Sequence, residues 1–420
     1  MSQGSNAPTD NIEQADIETT DLLERTLAYA WERDYCGPDY SDGMSSRLLR
    51  ALPVESKWLN LAIQETVKRA PVDLRPLFRV KERRNFMGIA LFAMANMIAA
   101  DISGRDLYDR QAEELLDWLV DHRIEGYAGF CGGHRHDIQT LDGVVSVGTP
   151  GIVGTTYAVK ALLRGDRRYD GEYADTARTA VDFLFEDLDY RPAEVGARID
   201  YRLSEPDTYD TVNAIALGAR TLVDIYERFP VDRYREGATE LLRYVASLQT
   251  DTGGWYYREP PDASHLSMDT HHNGFVIEAF QRYADVVDSD RFADTLETAL
   301  AFYQETLFED DGAPQFDEES VYPRDIHAAT QGILVFSYAG DWQFARRITK
   351  WTQKHMAAGP DSFYYRKYRF HTKRVVLMRW CQAWMAYALA ESLRTQAGAD
   401  GTTKPGPIAE PGTDVNEQYM

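Results

Sequence analysis

Lysine is scarce in this chain of 420 residues: nine of its 45 basic residues are Lys, against 67 acidic ones, for a formal charge of −22. That balance argues against a nucleic-acid partner, because phosphates would be repelled. An acidic, lysine-poor surface is also what keeps a protein soluble at high salt, so a halophilic source is expected. Cysteine is rarer still. Cys36, Cys131 and Cys381 lie far apart and fit neither a disulfide framework nor a metal spacing, as expected in a reducing compartment. Long apolar runs are missing too. The longest, residues 87–100, has 14 residues and contains Asn96, too short and too polar to cross a bilayer. Residues 1–14 are polar and acidic with no apolar signal-peptide core, so the expectation is a cytoplasmic protein without a membrane span. Neither G-x-G-x-x-G nor a P-loop occurs, and no cofactor is predicted.

What is present is core-forming material in a regular beat. The chain is 44% hydrophobic and 12% aromatic, with a mean hydropathy of −0.45. Six segments open on polar or aromatic residues and continue as apolar helices rich in small residues, with starts near 84, 149, 210, 270, 325 and 379. Between them lie amphipathic stretches at 106–122, 171–188, 231–248, 291–308 and 341–355, and either 17–32 or 56–69 supplies the sixth. Helices apolar all round must be buried, whereas amphipathic ones can form an outer ring. The expected fold is therefore all-α: an (α/α)6 toroid of six helical hairpins, one domain over 14–396, with disordered tails at 1–13 and 397–420. An open α-solenoid shares the period, and closure is favoured by about 400 residues in six units. Strand-like pieces at 197–203, 254–258 and 362–370 read as short β-hairpins in rim loops.

In such a ring every inner helix starts at one rim, and the distinctive residues cluster there. The second rim segment carries Cys131, His134, Arg135, His136 and Asp137; the third Asp207 and Asp210; the fourth Trp255, Tyr256, Tyr257, Asp269, His271 and His272. The fifth carries Arg324, Asp325 and His327, and the last Tyr364, Tyr365, Arg366, His371, Arg374 and Arg379. Seven of the nine histidines fall at this rim, all but His122 and His355. Neighbouring helical residues point about 100° apart, so only one of His271 and His272 is expected to face a ligand. His134-x-His136 has no third ligand at metal spacing, and no metal is predicted. Asp210, Asp269 and Asp325 also sit where helix caps belong. Gln249-x3-Gly253-x-Trp255 occurs once and reads as a packing device.

Gly148-Thr149-Pro150, Asp269-x-x-His272-x-Gly274-Phe275, Pro323-x-Asp325-Ile326-His327 and Met378-Arg379-Trp380-x-Gln382-Ala383-Trp384 resemble, over about residues 80–393, a family encoded with polysaccharide and surface-glycan assembly genes. Labels attached to that family, delta-aminolevulinic acid dehydratase and antibiotic ABC transporter permease, do not suit a chain with neither βα alternation nor a membrane helix. The six-hairpin plan also resembles sugar epimerases, uronate lyases and unsaturated glucuronyl hydrolases, which implies a glycan or sugar substrate by analogy of fold. An epimerase or lyase acting beside a carboxylate needs cations to bind that group and His or Tyr to move a proton. His136, His272, His327, Asp269, Asp325, Tyr256 and Tyr365 are the catalytic candidates. His134, Arg135, Asp137, Asp210, Trp255, Arg324, Arg366, Arg374 and Arg379 are the binding candidates. A glycoside hydrolase would instead pair two of Asp137, Asp210, Asp269 and Asp325. A glycan-binding scaffold would use Trp255, Tyr256, Tyr257, Tyr364 and Tyr365 as stacking platforms.

Overall fold

The structure, a computed structural model, describes residues 8–51, 56–140, 143–169, 171–203 and 208–399. Segments 1–7 and 400–420 of the expected tails, and Asp207, lie outside the described residues. In chain order the α-helices longer than four residues are α1 (Pro8–Trp31), α2 (Lys57–Arg69), α3 (Phe86–Ser103), α4 (Asp106–Asp121), α5 (Ile152–Asp166), α6 (Tyr173–Arg178) and α7 (Val212–Arg228). They continue as α8 (Asp232–Ser247), α9 (Thr270–Val287), α10 (Ala293–Leu307), α11 (Ile326–Tyr338), α12 (Trp342–Met356) and α13 (Trp384–Ala399).

Helices α3, α5, α7, α9, α11 and α13 form the inner ring, each packed on the next, and α13 packs back on α3. The ring is closed, and the chain is an (α/α)6 toroid rather than a solenoid. The composition of α3 explains its place. Every residue from Phe86 to Ala100 is buried, and covering such a side chain is worth roughly 1.5–3 kcal/mol for each large apolar residue. By length and composition α3 could cross a membrane, but its sides are taken by α4, α5 and α13. The outer helices α4, α6, α8, α10 and α12 cover the ring at the expected amphipathic stretches.

The sixth outer helix is α1, packed on α13. Residues 8–13, expected to be disordered, begin this helix, and 397–399 complete α13. The other candidate, α2, lies on the rim, against the turn Asp42–Ser45 and strand β1 (Ile138–Gln139).

Strands are two residues long and confined to the rim. Hairpins join β1 to β2 (Val144–Val145), β3 (Arg191–Pro192) to β4 (Ala197–Arg198), and β8 (Arg366–Lys367) to β9 (Thr372–Lys373). Two further pairings are not the local hairpins expected. β5 (Asp210–Thr211) pairs with β6 (Arg258–Glu259), and β7 (Arg324–Asp325) with β8, so the entrance to one inner helix is tied to the loop before a later one. These ties stitch the rim into a belt and fix the residues at the helix entrances.

Candidate functional site

Asp269 is the N-cap of α9, its Oδ1 accepting the backbone N–H of His272 at 3.1 Å. The same carboxylate accepts from two imidazoles: Nδ1 of His272 lies 2.7 Å from Oδ2, and Nδ1 of His271 lies 3.0 Å from Oδ1. Both histidines of the adjacent pair are thus engaged, against the expectation that only one would face inward. They sit in the first turn beside a cap with two acceptor oxygens, and their rings meet at 3.8 Å. Burial alone would raise the Asp269 carboxyl, but the two imidazoles overcome it and hold the carboxyl far below its ordinary range. Burial pushes His272 down to about 4. His272 is therefore a neutral imidazole whose Nδ1–H donates to Asp269 and whose Nε2 is left as a base.

Deeper on the ring axis lies His327. Its ring stacks on His271 at 4.8 Å and meets Trp384 at 4.4 Å, Trp380 at 4.6 Å and Phe275 at 5.5 Å. The residue is 2% exposed, yet neither ring nitrogen has a hydrogen-bond partner among the described residues. Burial, followed by the charge of neighbouring groups, drives its pKa well below the ordinary value. Below His327, Trp384, Phe275 and Tyr157 pack together and close the axis.

Asp325 caps α11, accepting from the N–H of His327 at 2.9 Å, and also accepts from Trp380 Nε1 at 3.1 Å and Arg366 Nε at 2.6 Å. It is the anchor of the site wall, with no oxygen left as a free acid. Tyr365 is buried beside Trp380 and Tyr40, its hydroxyl unpartnered, and burial together with Asp325 raises its pKa well above the ordinary value. Tyr365 is a proton donor at most.

A second group adjoins the first through Trp380, which stacks on Tyr40 at 5.3 Å. Asp39 receives Arg379 at 2.8 Å and Asn85 Nδ2 at 2.5 Å, while Asn85 caps α3. His134 and His136 lie beside them, 5.6 Å apart, with His136 Nε2 3.2 Å from the Tyr40 carbonyl. Burial and the Arg379 charge lower His134 to about 3. Space thus supplies what spacing did not: Asp39 joins His134 and His136 in a group whose ligand atoms lie within 4.8 Å, as do Asp269, His271 and His272. In the Asp39 group Arg379 already neutralises the carboxylate and repels a cation. In the Asp269 group both carboxylate oxygens are used by imidazole N–H groups.

Other candidates lie elsewhere. Trp255 is 1% exposed, stacked on Phe280 with Nε1 donating to the Val245 carbonyl, so it is core rather than a sugar platform. Gln249 bonds the Gly253 and Thr295 carbonyls, as a packing device should. Tyr256 packs on the core, and it is Tyr257 whose ring meets His272, at 4.4 Å. Asp210 is held by Arg198 at 2.8 Å and Tyr244 at 2.5 Å. Arg324 turns outward to Glu309 and Trp351. Arg374 is exposed, its backbone bonded to Pro71. Arg135 lies over Trp118 of α4, and Asp137 pairs with Arg50 at 3.3 Å and accepts from Val147 N at 2.9 Å, both in the covering loops. Sequence reasoning missed Asp39, Tyr40, Asn85 and Trp380. Only Asn85 and Trp380 carried a signal, as the polar and aromatic openers of inner-ring segments.

No protein-family model and no curated protein matches this chain. Solved structures do. A sugar epimerase from a ruminal bacterium is 15% identical, covering 75% of this chain and 90% of its own, with a TM-score of 0.58. Cellobiose 2-epimerase from Bacillus thermoamylovorans is 10% identical over 75% and 90%, with a TM-score of 0.59. A polysaccharide lyase is 11% identical over 91% and 98%, with a TM-score of 0.55. At these identities the likeness establishes the toroid and nothing finer.

Proposed function

We propose that the protein is a carbohydrate-active enzyme that moves a proton at a sugar carbon next to a carbonyl or carboxylate, in the manner of an epimerase or lyase. The observation that carries this reading is the Asp269–His271/His272 group stacked against a buried His327 with both ring nitrogens unpartnered. Carbon-acid chemistry needs an unprotonated base near neutral pH and a second group to return or pass on the proton. His272, held in one tautomer by Asp269, suits the first task, and His327 or the protonated Tyr365 the second. Charge developing on the substrate oxygen would be met by Arg366 and Arg379, each oriented by a carboxylate. The fold neighbours include epimerases and a lyase, which agrees with this chemistry, and membership of the glycan-assembly family belongs to the same reading. Hydrolysis is less well supported. Its candidate acids Asp137, Asp210, Asp269 and Asp325 are each bound by a cation or imidazole, which leaves none free as a general acid.

The test is proton exchange in D2O. The full chain is incubated with uronic-acid oligosaccharides and with reducing sugars while the sugar proton signals are followed by NMR. Loss of one C–H signal is expected with wild type, and its absence in His272→Ala and His327→Ala. Release of reducing ends without exchange would replace this reading with hydrolysis.

A further inference from the structure

The opposite mouth of the ring holds a second cavity, of about 510 Å3, walled by the C-terminal halves of the inner helices. Trp384, Phe275 and Tyr157 separate it from His327. Six cationic side chains line it against four acidic ones, in a chain whose charge is −22. Most of its arginines are committed: Arg282 to Asp224 at 2.6 Å, Arg220 to Glu278 at 2.5 Å, and Arg164 and Arg394 to Glu391 at 2.7 Å each. Lys160 is different. Its ammonium lies 2.7 Å from the Tyr387 hydroxyl and 3.4 Å from that of Tyr338, and it forms no ion pair among the described residues. Ser337, 1% exposed on the same wall, has a hydroxyl with no partner. Gln281 uses its amide N–H on the Val335 carbonyl and leaves a buried, unpartnered carbonyl oxygen. A lysine with no salt bridge among the described residues, a free hydroxyl, a free acceptor and the half-buried indole of Trp342 thus belong to residues that line one space.

We infer that this cavity is a second ligand site that takes a small polyhydroxylated anion, a sugar acid or a sugar phosphate. The anionic group meets Lys160 and Ser337, hydroxyls donate to Gln281, and Trp342 offers a face to the sugar ring. Unpartnered buried groups of both kinds favour a ligand with both an anion and hydroxyls over a simple inorganic ion.

Calorimetric titration of the full chain with glucuronate, with glucose 6-phosphate and with glucose tests the assignment. One of the two anions is expected to saturate a site that glucose does not fill, and the tighter of them tells sugar acid from sugar phosphate. Lys160→Met should weaken that binding about tenfold or more, and Ser337→Ala, a change of one atom less prone to disturb folding, should weaken it in the same direction. His327→Ala, at the other mouth, should leave it in place. Saturation by neither anion, equal binding of glucose, indifference to both far-mouth variants, or loss of binding in His327→Ala would each overturn the site. None of these results depends on whether the rim site moves a proton.

Discussion

A single carboxylate, Asp269, does two jobs: it ends the orphan N–H groups of α9 and sets the tautomers of two imidazoles. Asp269→Asn separates them, because Asn caps a helix about as well but cannot hold both Nδ1–H groups. Turnover in the exchange assay should fall about 10³-fold or more, while the denaturation midpoint should fall less than in Asp269→Ala, which loses the cap as well as the carboxylate. The same group makes folding sensitive to acid. His272 titrates near 4 when folded and at the ordinary 6.5 when unfolded, so the unfolded chain binds the proton first as pH falls. Its contribution is complete above pH 6.5 and is lost on descending to about 4, on the order of 3 kcal/mol for the full shift. Urea unfolding between pH 7 and 4 should show wild type losing stability more steeply than His272→Gln. Asp269, His272 and His327 were legible in the sequence because a capping acid followed by His at a helix start is a local pattern. Asp39 and Tyr40 were not, since they reach the site from a loop outside the repeat, and no spacing rule connects them to Arg379 or Trp380.

Among the elements, the inner helices were readable from apolarity on every side, and the amphipathic outer ones from their single apolar face. Two features escaped. The rim strands are too short to show an alternation of two. And the last inner helix opens with a π-helical turn, Met378–Ala383, that no hydrophobic period reports. That turn carries Arg379 to Asp39 and Trp380 to Asp325. Where inner helices touch, small residues set the distance. A Cβ at Gly274 of α9 would stand 2.1 Å from Gln331 Cγ on α11 and 2.7 Å from the Tyr303 hydroxyl on α10. Gln331 is fully buried and bonded to Glu278, so it has nowhere to retreat. Gly274→Ala should therefore cost about 1–3 kcal/mol in chemical denaturation, although alanine is the better helix former.

For the molecule as a whole, closure was inferred from counting hairpins, and the partner of the sixth could not be chosen because two N-terminal stretches had suitable patterns. Contacts decide it: Asp16 of α1 binds Arg346 of α12 at 2.7 Å and Gln396 of α13 at 2.5 Å, a clasp between the first and last elements of the ring. Removing residues 1–31 should bare the apolar flank of α13 and give a chain that aggregates, or unfolds at a lower temperature, in a thermal melt followed by circular dichroism. The aromatic layer of Trp384, Phe275 and Tyr157 has a consequence for traffic. A toroid open along its axis could let a polysaccharide run through like thread through a bead, but this one is a cup with a floor. On the proposed function, a substrate of His327 would enter and depart from the rim side, so a long glycan could offer only an end or a bend, and would back out between one event and the next.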